Sequence, residues 1–524
     1  MTWSAAFIED LERMPSDPIF VVHFMKPAGS PTNTPGKDEL KLASSGEYGD
    51  VVGIGMELQI SGSLLRPVEW SYTTGTASVS FIADTANPVT GIVRRGQVTR
   101  IMMGFAGYSW SDFEPIFLGR VQNIIGAPPQ WTISFFDATS LLQTRWTSGS
   151  DLGLFEEATQ STVIQTSAYS AGDGTITVSD NTKLTKQSGG VANKGMVKVT
   201  PNSGDDFYLT FTGKGSGTIT GVSATGQHGT TAAAASAGNA VQCVPFLNGS
   251  VFEIYKRVLV SDGSHSSEPN VYPEDWGFGI PEDFVDDADI DAASSAATWG
   301  AGNTLQAQIK VEDQQTSPWR WIFDAFLPYG VFPVVRHGKF SMRTVQDPND
   351  PMVTTGITIT DRDIVDVIWS AYHPECSVEY AAVSVKSDLN TTPRIHGMVY
   401  TFPREDVQLY DASNMLWQYS SSNQTTIRSS ILDRVANWGL FIPYGVDVTC
   451  AGLRLAQLVP GDIVALTTEH IRATNETEGA FISSPEEEED YYKRPAMVLG
   501  VDVDFVAGIV HLNLAIIPDP DATS

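Results

Sequence analysis

The stretch "LRLAQLVPGDIVALTTEHI" (453–471) joins a sharp corner to a strand pattern. Pro460 fixes φ and Gly461 admits a positive φ, which is the combination that a type II turn needs. The alternating run 462–466 follows the corner directly, so it predicts a half-buried strand whose register is set by the turn. Short alternating runs separated by Gly, Pro, Asn or Asp recur along the chain and predict a mainly β fold.

Length and composition limit the number of domains and the class of protein. At 524 residues the chain is too long for one core, so two to four domains of roughly 100–200 residues are expected. The 61 acidic and 32 basic residues give a formal charge of −29, which disfavours sequence-specific binding of nucleic acid because it repels phosphates. This negative charge is compatible with a surface past which DNA slides without adhering.

The first part of the chain, residues 1–150, predicts a β-barrel or sandwich domain. Apolar residues at helical spacing predict a short amphipathic helix within 2–14, capped by Thr2 or Ser4. The strand patterns that follow lie at 19–24, 56–60, 77–82, 97–105, 116–125 and 131–137. Strands so closely spaced form an antiparallel sandwich or barrel.

The rest of the chain predicts a small module, a mixed middle and a second β domain. Residues 160–247 are rich in Gly, Ser and Thr and predict an inserted small β module. Residues 251–345 predict a mixed α/β domain, and residues 346–524 a second β domain with an acidic loop at 468–495. The predicted elements of these two domains are helices at 251–261, 317–327 and 425–438 and hairpins at 331–345 and 496–517.

Motifs with catalytic or ligand-binding chemistry are broken or missing. The sequence contains no HExxH, GxSxG, Walker A loop or GxGxxG. The stretch 213–221 imitates a phosphate loop, but its spacing is wrong and it leads into a strand, so a simple turn is predicted. Asp287, Asp289 and Asp291 alternate as in a calcium loop, yet Ala292 replaces the required Gly and Thr298 the bidentate Glu. A capped, solvated helix start is the preferred interpretation.

The remaining candidate residues have ordinary structural interpretations. His337 lies in a predicted hairpin turn and His228 in a Gly-rich loop, so both are interpreted as surface turn residues. The acidic run 484–492 is interpreted as a solvated loop, with contact to a basic partner as the alternative. The tryptophans that could stack on sugars, although core packing explains most such residues, are Trp70, Trp131, Trp146, Trp276, Trp319 and Trp321. We therefore assign no catalytic, cofactor-binding or metal-binding residue, and no cofactor.

Cysteine usage and hydropathy indicate where the protein folds. Cys243, Cys376 and Cys450 are far apart, which indicates neither a zinc site nor a disulfide framework. The amino terminus lacks a basic segment followed by an apolar one, and no run of 18 apolar residues occurs. We expect folding in a reducing cytoplasm, no export by the usual route and no stable membrane insertion.

The order of these segments resembles the tail hub, or baseplate hub, proteins of tailed bacteriophages and gene-transfer agents. The stretches that carry the resemblance are "FEPIFLGRVQNI" and "WTISFFDATSLLQTR" within 113–145, "VFEIYKRVLVSDG" and "YPEDWGFGIPEDFVD" within 251–286, "SPWRWIFDAFLPYGVFPVVRHGKFSMRTV" (317–345), and "LAQLVPGDIVALTT" (455–468) with the closing hairpin. Together they cover much of the chain outside the Gly-rich module, which itself resembles small insertions of phage structural proteins. The acidic insertion at 468–495 departs from a minimal hub.

The resemblance implies a non-enzymatic protein of the virion tail tip, assembled in the host cytoplasm. It implies a homotrimer in which two tube-like β bodies per subunit form a pseudo-sixfold ring between a sixfold tail tube and a threefold tip. Partners would be the distal tail or tail tube protein, the tape-measure protein and tail fibres or receptor-binding proteins. A carbohydrate-binding tail adhesin and a tail-associated glycan-degrading enzyme remain alternative interpretations.

Overall fold

The protein is described by a computed structural model in which strands outnumber helices among the described residues. The described residues are 3–12, 18–25, 40–66, 71–83, 93, 95–143, 161–184, 195–227, 230–244, 246–260, 271–272, 280, 284–296, 306–310, 330–346, 354–370, 380–385, 394–399, 407–412, 444–468 and 494–517. Within them the predicted mainly β fold with a mixed middle is confirmed.

The amino-terminal strands follow the alternating patterns of the sequence. They are β1 Ile19–Phe24, β2 Leu40–Ala43, β3 Val51–Val52, β4 Ile54–Arg66, β5 Ser71–Thr73, β6 Thr76–Ile82, β7 Val98–Gly104, β8 Glu114–Ala127 and β9 Gln130–Asp137. Every strand predicted in this part is present. The strands that the sequence analysis missed, β2, β3 and β5, are at most four residues long, too short to show a clear alternation.

The carboxy-terminal part contributes further strands and a closing hairpin. Its strands are β22 Thr358–Thr360, β23 Ile364–Ser370, β24 Tyr380–Val385, β25 Arg394–Val399, β26 Val407–Ala412, β27 Tyr444–Ala451, β28 Ile463–Thr467, β29 Arg494–Asp504 and β30 Ile509–Ile516. The corner before β28 is the predicted type II turn: Gly461 has φ of 89°, and Asp462 N donates to Val459 O at 3.1 Å.

Strands from both parts belong to one sheet of 15 strands. Its main order is β23-β27-β30-β29-β4-β6-β9-β8-β7-β1-β2-β3, with β22, β28 and β5 paired at its sides. The antiparallel pairing of β29 with β4 joins the carboxy-terminal strands to the amino-terminal ones. The sheet therefore spans both predicted β domains, whose boundaries stay predictions.

The hydrogen-bonded path of this sheet has two ends, β23 and β3, so the described strands form no closed barrel. β3 is the last strand of the path and β4 lies in its middle, yet only Gly53 separates them in the chain. The sheet therefore curls so that its β3 end returns to β4. Of the two architectures that the sequence left open for each β body, barrel or sandwich, the described pairing shows an open, curled sheet.

One apolar core lies under both parts of the sheet. It includes Phe20 of β1, Phe135 of β9, Val448 of β27 and Leu512 of β30, all nearly or fully buried. The rings of Phe20 and Phe505 meet edge to face with centroids 5.4 Å apart. Burial of each such side chain contributes roughly 1.5–3 kcal/mol, so the core stabilises both parts together.

Helix α1 (Ala5–Glu12) packs its apolar side on this core, as its spacing predicts. Phe7 and Leu11 of the helix are buried, together with Trp3 just before it. Ser4 Oγ accepts a hydrogen bond from Phe7 N at 3.3 Å, so Ser4 is the capping residue.

The Gly-rich segment folds into two small sheets with a core of their own. Its strands are β10 Ser161–Val163, β11 Thr175–Thr177, β12 Gly195–Thr200, β13 Phe207–Phe211, β14 Gly213–Gly215, β15 Thr218–Thr220 and β16 Ala240–Val244. One sheet has the order β10-β16-β12-β13 and the other β11-β15-β14. The core residues all come from this segment, Phe207 and Phe211 among them.

The middle region combines helices with short strands. Its elements are β17 Phe246–Ser250, α2 Val251–Val260, β18 Val271–Tyr272, α3 Asp287–Ala296, β19 Gln306–Lys310, β20 Val331–Arg336 and β21 Lys339–Thr344. Helix α2 and the β20–β21 hairpin match the predicted helix and hairpin. The predicted helices at 317–327 and 425–438 and the acidic run 484–492 lie outside the described residues.

Candidate functional site

The outward face of the long sheet is mainly polar across strands from both ends of the chain, although the exposed residues Ile54, Ile82 and Ile368 lie on the same face. In each strand, apolar residues point to the core and the alternate positions point outward. The outward residues are Asp366 of β23, Asp447 and Thr449 of β27, His511 and Asn513 of β30, Asp502 and Asp504 of β29, Glu57, Gln59 and Ser61 of β4, Thr76, Ser78 and Ser80 of β6, and Thr132 and Ser134 of β9. We call this set the polar face.

Neighbouring strands of the polar face are linked by side-chain hydrogen bonds. Asn513 Nδ2 donates to Asp447 Oδ1 at 2.8 Å, and Thr449 Oγ1 lies 3.0 Å from His511 Nδ1. Farther along, Ser80 Oγ and Thr132 Oγ1 are 3.0 Å apart. Cross-strand pairs of this kind each contribute a few tenths of a kcal/mol to about 1 kcal/mol, so they hold the outward side chains in fixed positions.

The polar face carries five carboxylates, those of Glu57, Asp366, Asp447, Asp502 and Asp504. Its one nitrogen-containing titratable side chain, His511, is exposed and bonded to a threonine. A surface of this composition repels polyanions at neutral pH. No cluster of three His, Cys, Asp or Glu residues that could hold a metal ion occurs in the described part of the chain.

The two parts of the sheet meet at a seam formed by β4 and β29. Asp502 Oδ1 accepts hydrogen bonds from Ser61 Oγ and Gly62 N, both at 2.9 Å. A Cβ atom on residue 62 would lie 1.7 Å from the carbonyl oxygen of Val501. Only glycine therefore allows the two backbones to approach this closely, and the polar face is continuous because of it.

A buried cluster of four charged side chains joins the middle region to the carboxy-terminal part. Arg343 of β21 places Nε 3.2 Å from Asp462 Oδ1 and Nη2 3.2 Å from Asp289 Oδ2. Arg336 of β20 contacts the same two carboxylates at 3.6 and 3.8 Å. Ser341 Oγ adds a hydrogen bond of 3.1 Å to Asp289. The cluster fixes the hairpin and α3 against the corner before β28.

Asp462 is the most deeply buried member of this charge cluster, with 4% of its side chain exposed. Burial raises the pKa of Asp462 to about 6, although Arg343 and the Val459 amide act in the opposite direction. Its Oδ2 also accepts a hydrogen bond from Val459 N at 3.1 Å, so one carboxylate both closes the turn and binds the hairpin. The sequence pattern predicts the turn but not the cluster.

The calcium-like aspartates are separated by the structure. Asp286 Oδ1 accepts from Asp289 N at 3.2 Å, which caps α3 as predicted. The predicted solvation is wrong for Asp286 and Asp289, which are 4% and 14% exposed. Asp287 and Asp291 contact Lys256 of α2 at 3.3 and 2.7 Å, whereas Asp289 belongs to the charge cluster. Thr298 lies outside the described residues.

The other sequence candidates occupy structural positions. The phosphate-loop imitation forms the turn between β14 and β15 with no helix after it, as predicted. His337 lies in the predicted β20–β21 turn with φ of 47°. Its predicted surface position is wrong, because its side chain is partly buried, and this burial lowers its pKa to about 4. Trp131 packs against the main core. His228, Cys376 and the tryptophans other than Trp131 named above lie outside the described residues, and Cys243 and Cys450 are buried free thiols.

Helices of the described part are all too short or too polar to cross a membrane.

Comparisons with known proteins give similarity in structure alone. No protein-family profile and no curated protein sequence matches the chain. It is similar to the 43 kDa tail protein of prophage MuSo2 from Shewanella oneidensis, with 9% identity, 96% of this chain and 99% of that chain covered, and a TM-score of 0.38. It is also similar to the E. coli c3393 protein, a type VI secretion system component described as structurally similar to T4 bacteriophage tail proteins gp27 and gp5, with 7% identity, coverage of 88% and 73%, and a TM-score of 0.34.

A third similar chain belongs to the virion of a native gene transfer agent, with 13% identity, a TM-score of 0.28, and 45% of this chain and 46% of that chain covered. These structural neighbours are thus proteins of phage tails and related particles. All three are loose superpositions, which by themselves say nothing about function.

Proposed function

We propose that this chain is a structural hub protein of a phage-type tail tip, and that three copies form a ring through which DNA passes. The observation that carries the proposal is the polar face, which spans strands from both ends of the chain. In the ring, this face lines the channel. The core-facing side of the sheet holds the body of each subunit.

The charge of the polar face suits a channel for DNA. Proteins bind duplex DNA mainly by neutralising its phosphates with Lys and Arg and releasing counterions. The polar face offers carboxylates and hydroxyls at these positions instead, so a duplex close to it finds no cation to bind. DNA therefore moves past without being held.

The end of the sheet at β23 suits ring closure by a second copy. Among the described strands β23 pairs only with β27, and its side chains Val365 and Ile368 are each 64% exposed. An exposed apolar edge strand is a site of pairing with another chain. In the proposed homotrimer, the neighbouring subunit covers this edge.

The proposed position sets the partners and the place of assembly. A ring of three subunits, each with two sheet regions, connects the sixfold tail tube or distal tail protein to threefold components of the tip. The tape-measure protein ends at the ring, and tail fibres or receptor-binding proteins attach outside it. The protein is placed at the virion tail tip, after folding in the host cytoplasm, and it carries no enzymatic activity.

Oligomeric state tests ring formation. Native mass spectrometry and negative-stain microscopy of the purified chain are expected to show trimers with a central hole. Ile368→Lys is expected to shift trimers to monomers, because it places a charge at the edge. Val506→Lys is the matched control, since Val506 is 62% exposed in the β29–β30 turn. A wild-type monomer at all concentrations contradicts the proposal.

DNA binding tests the role of the polar face. Wild-type trimers are expected to bind duplex DNA weakly at low salt, whereas Glu57→Lys with Asp447→Lys is expected to bind it measurably and salt-dependently. The control pair Asp205→Lys with Glu253→Lys makes the same change in net charge away from the polar face. Equal binding by both pairs shows that net charge, and not this face, determines the interaction.

The adhesin and enzyme alternatives predict different results. Trp110, which is 37% exposed, has Lys41 Nζ 3.9 Å from its ring centroid and Phe113 at 5.5 Å, so its ring is already in contact with other side chains. An adhesin should bind host cells as an isolated protein, and an enzyme should clear host wall or capsule in a zymogram. Either result would replace the hub assignment.

A further inference from the structure

Strand β8 has different neighbours along its two halves. β7 pairs with residues 114–120 and β9 with residues 119–127. Val121 N still donates to Gln97 O at 3.0 Å, but residues 122–127 have β9 on one side and no strand of the described chain on the other. We call residues 122–127 the free half of β8. The polar face therefore ends at two unpaired edges, β23 on one side and the free half of β8 on the other.

Both edges expose an isoleucine on the same side of the sheet. Ile125 is 61% exposed and lies opposite Thr132 of the polar face. Ile368 is 64% exposed and lies opposite Asp447 of the polar face. Residues directly opposite each other point to the same side of a sheet, so both isoleucines do as well. The edges also have similar lengths, because β23 has seven residues and the free half of β8 has six.

Each edge also satisfies one backbone N–H group with a neighbouring side chain. Asn123 Oδ1 accepts from Ile124 N at 2.9 Å, and Asp366 Oδ1 accepts from Val367 N at 3.0 Å. Local bonds of this kind compete with the bonds of a strand ladder. Unpaired edges with exposed apolar side chains are sites of pairing with another chain, and both edges have these features.

The directions of the strands allow the two edges to pair with each other. The path from one edge to the other is β23-β27-β30-β29-β4-β6-β9-β8, and every neighbouring pair in it is antiparallel. β23 and β8 consequently run in opposite directions. Rotation about the axis of a ring keeps the direction of a strand along that axis. β23 of one copy therefore meets β8 of the next as an antiparallel pair, the more stable kind per residue.

We propose that the free half of β8 is the surface of the neighbouring subunit that covers β23, so that each copy pairs its β23 with β8 of the next. This inference rests on the proposed ring and names its contact. A closed ring of three identical subunits uses two different surfaces of each subunit, and the two edges supply them. Three copies bring 24 strands into one closed sheet, eight from each. Closed sheets of about 16–18 strands already enclose a water-filled channel.

A charge at the free half of β8 tests the contact on the purified chain. Ile125→Lys is expected to raise the concentration at which trimers dissociate by at least about tenfold, because it places an unpaired charge at the contact. Ile82→Lys is the matched control. Ile82 is 40% exposed on the same side of the sheet, but it lies between Ile54 and Gln130 and away from both edges. Its dissociation concentration is expected to stay within about threefold of the wild type.

Cross-linking of two different variants identifies the two surfaces. Chains with Ile125→Cys are mixed with chains that carry Ile368→Cys or Val365→Cys, all in a Cys376→Ser background, and treated with a short bismaleimide. The other two cysteines are buried. Mixing is done below the dissociation concentration, and the chains are then concentrated to form mixed trimers. Covalent dimers are expected from at least one mixture and from no variant alone, because the contact joins different surfaces.

The outcomes separate failure of this contact from failure of the ring. Trimers that withstand Ile125→Lys, and that give no cross-link from position 125 to position 365 or 368, overturn the contact and leave the ring intact. Cross-links formed by Ile368→Cys alone would show a two-fold contact between β23 strands and would also overturn it. A wild-type chain that stays monomeric overturns the ring and the contact together.

Discussion

The inserted module and the long sheet are held together by contacts of different range. In the module, β10–β16 pair within residues 161–244 and enclose a core from the same segment. In the long sheet, β4 pairs with β29, and Ser61 contacts Asp502 at a sequence separation of 441. The module thus needs only its own segment, whereas the sheet needs both ends of the chain at once.

This difference determines how far the effect of a destabilising substitution extends through the structure. A change in the module is expected to unfold a local unit, because its core shares no residue with the main one. A change at the seam is expected to weaken both parts of the sheet, since they share one core. Variants placed in matched positions of the two regions distinguish these outcomes.

The largest effect is expected from Gly62→Val at the seam. The added side chain would meet the Val501 carbonyl oxygen, 1.7 Å from the position of Cβ, so β4 and β29 must separate. We expect a loss of more than about 4 kcal/mol in the free energy of unfolding. Denaturant unfolding measures the loss, and hydrogen exchange should show it in strands on both sides of the seam.

Gly174→Val in the module is the matched control. A Cβ atom on residue 174 meets nothing within 4 Å, and the backbone there has no positive φ. We expect a change within about 0.5 kcal/mol. Similar losses for the two variants would mean that the close approach at Gly62 does not hold the sheet together.

Truncation of a buried phenylalanine in each region sharpens the comparison. Phe135→Ala in the main core and Phe207→Ala in the module core each remove a fully buried ring, at a cost of about 3–5 kcal/mol. The two losses should differ in how much of the chain they affect. Hydrogen exchange is expected to rise only within 161–244 for Phe207→Ala, and in strands from both ends of the chain for Phe135→Ala. Exchange in the long sheet after Phe207→Ala would contradict the independence of the module.

Local patterns were enough to predict most strands, including those of the Gly-rich segment. The module is visible in the sequence because its strands, turns and apolar residues all fall in one short stretch. The corner at Pro460 and Gly461 was likewise predictable, since its geometry depends on those two residues alone. Helix α1 followed from the spacing of Phe7 and Leu11.

The seam and the charge cluster were not predictable from the sequence. Gly62 reads as an ordinary strand glycine, and nothing near it indicates Val501 as its neighbour. Asp289, Arg343 and Asp462 lie in three separate patterns, each with a satisfactory local explanation. Their contacts depend on tertiary packing, which the spacing of residues along the chain does not indicate.

The charge cluster provides the next prediction. Arg343→Met leaves Arg336, whose contacts are longer, as the one cationic partner of Asp289 and Asp462 within the charge cluster. We expect a loss of about 3 kcal/mol, because removing one partner of a buried ion pair leaves an uncompensated charge. In the module, Lys198 and Asp206 form a 2.8 Å pair with side chains 24% and 38% exposed. Lys198→Met is therefore expected to cost less than about 1 kcal/mol, and equal losses would contradict this account.

The last prediction is a pH dependence of opposite sign in the two regions. Burial raises the pKa of Asp137, in the long sheet, from 3.8 to about 6, although two hydrogen bonds from Thr139 lower it. The folded state then binds the proton more tightly than the unfolded state. The contribution is fully present below pH 3.8 and is lost as pH rises through 6, by on the order of 3 kcal/mol. Asp137→Asn should remove this loss, as measured by denaturant unfolding between pH 4 and 7.

The module carboxylate Asp180 responds in the other direction. Hydrogen bonds from Thr182 lower its pKa, so its contribution is present above pH 3.8 and is lost as pH falls below that value. Mild acid should therefore favour the sheet through Asp137, and only stronger acid should weaken the module through Asp180. Hydrogen exchange resolves the two regions after correction for the intrinsic rate at each pH. If the stabilities of Asp137→Asn and the wild type change with pH in the same way, burial of this carboxylate does not oppose its ionisation. The two regions would then differ only in the sequence range of their contacts.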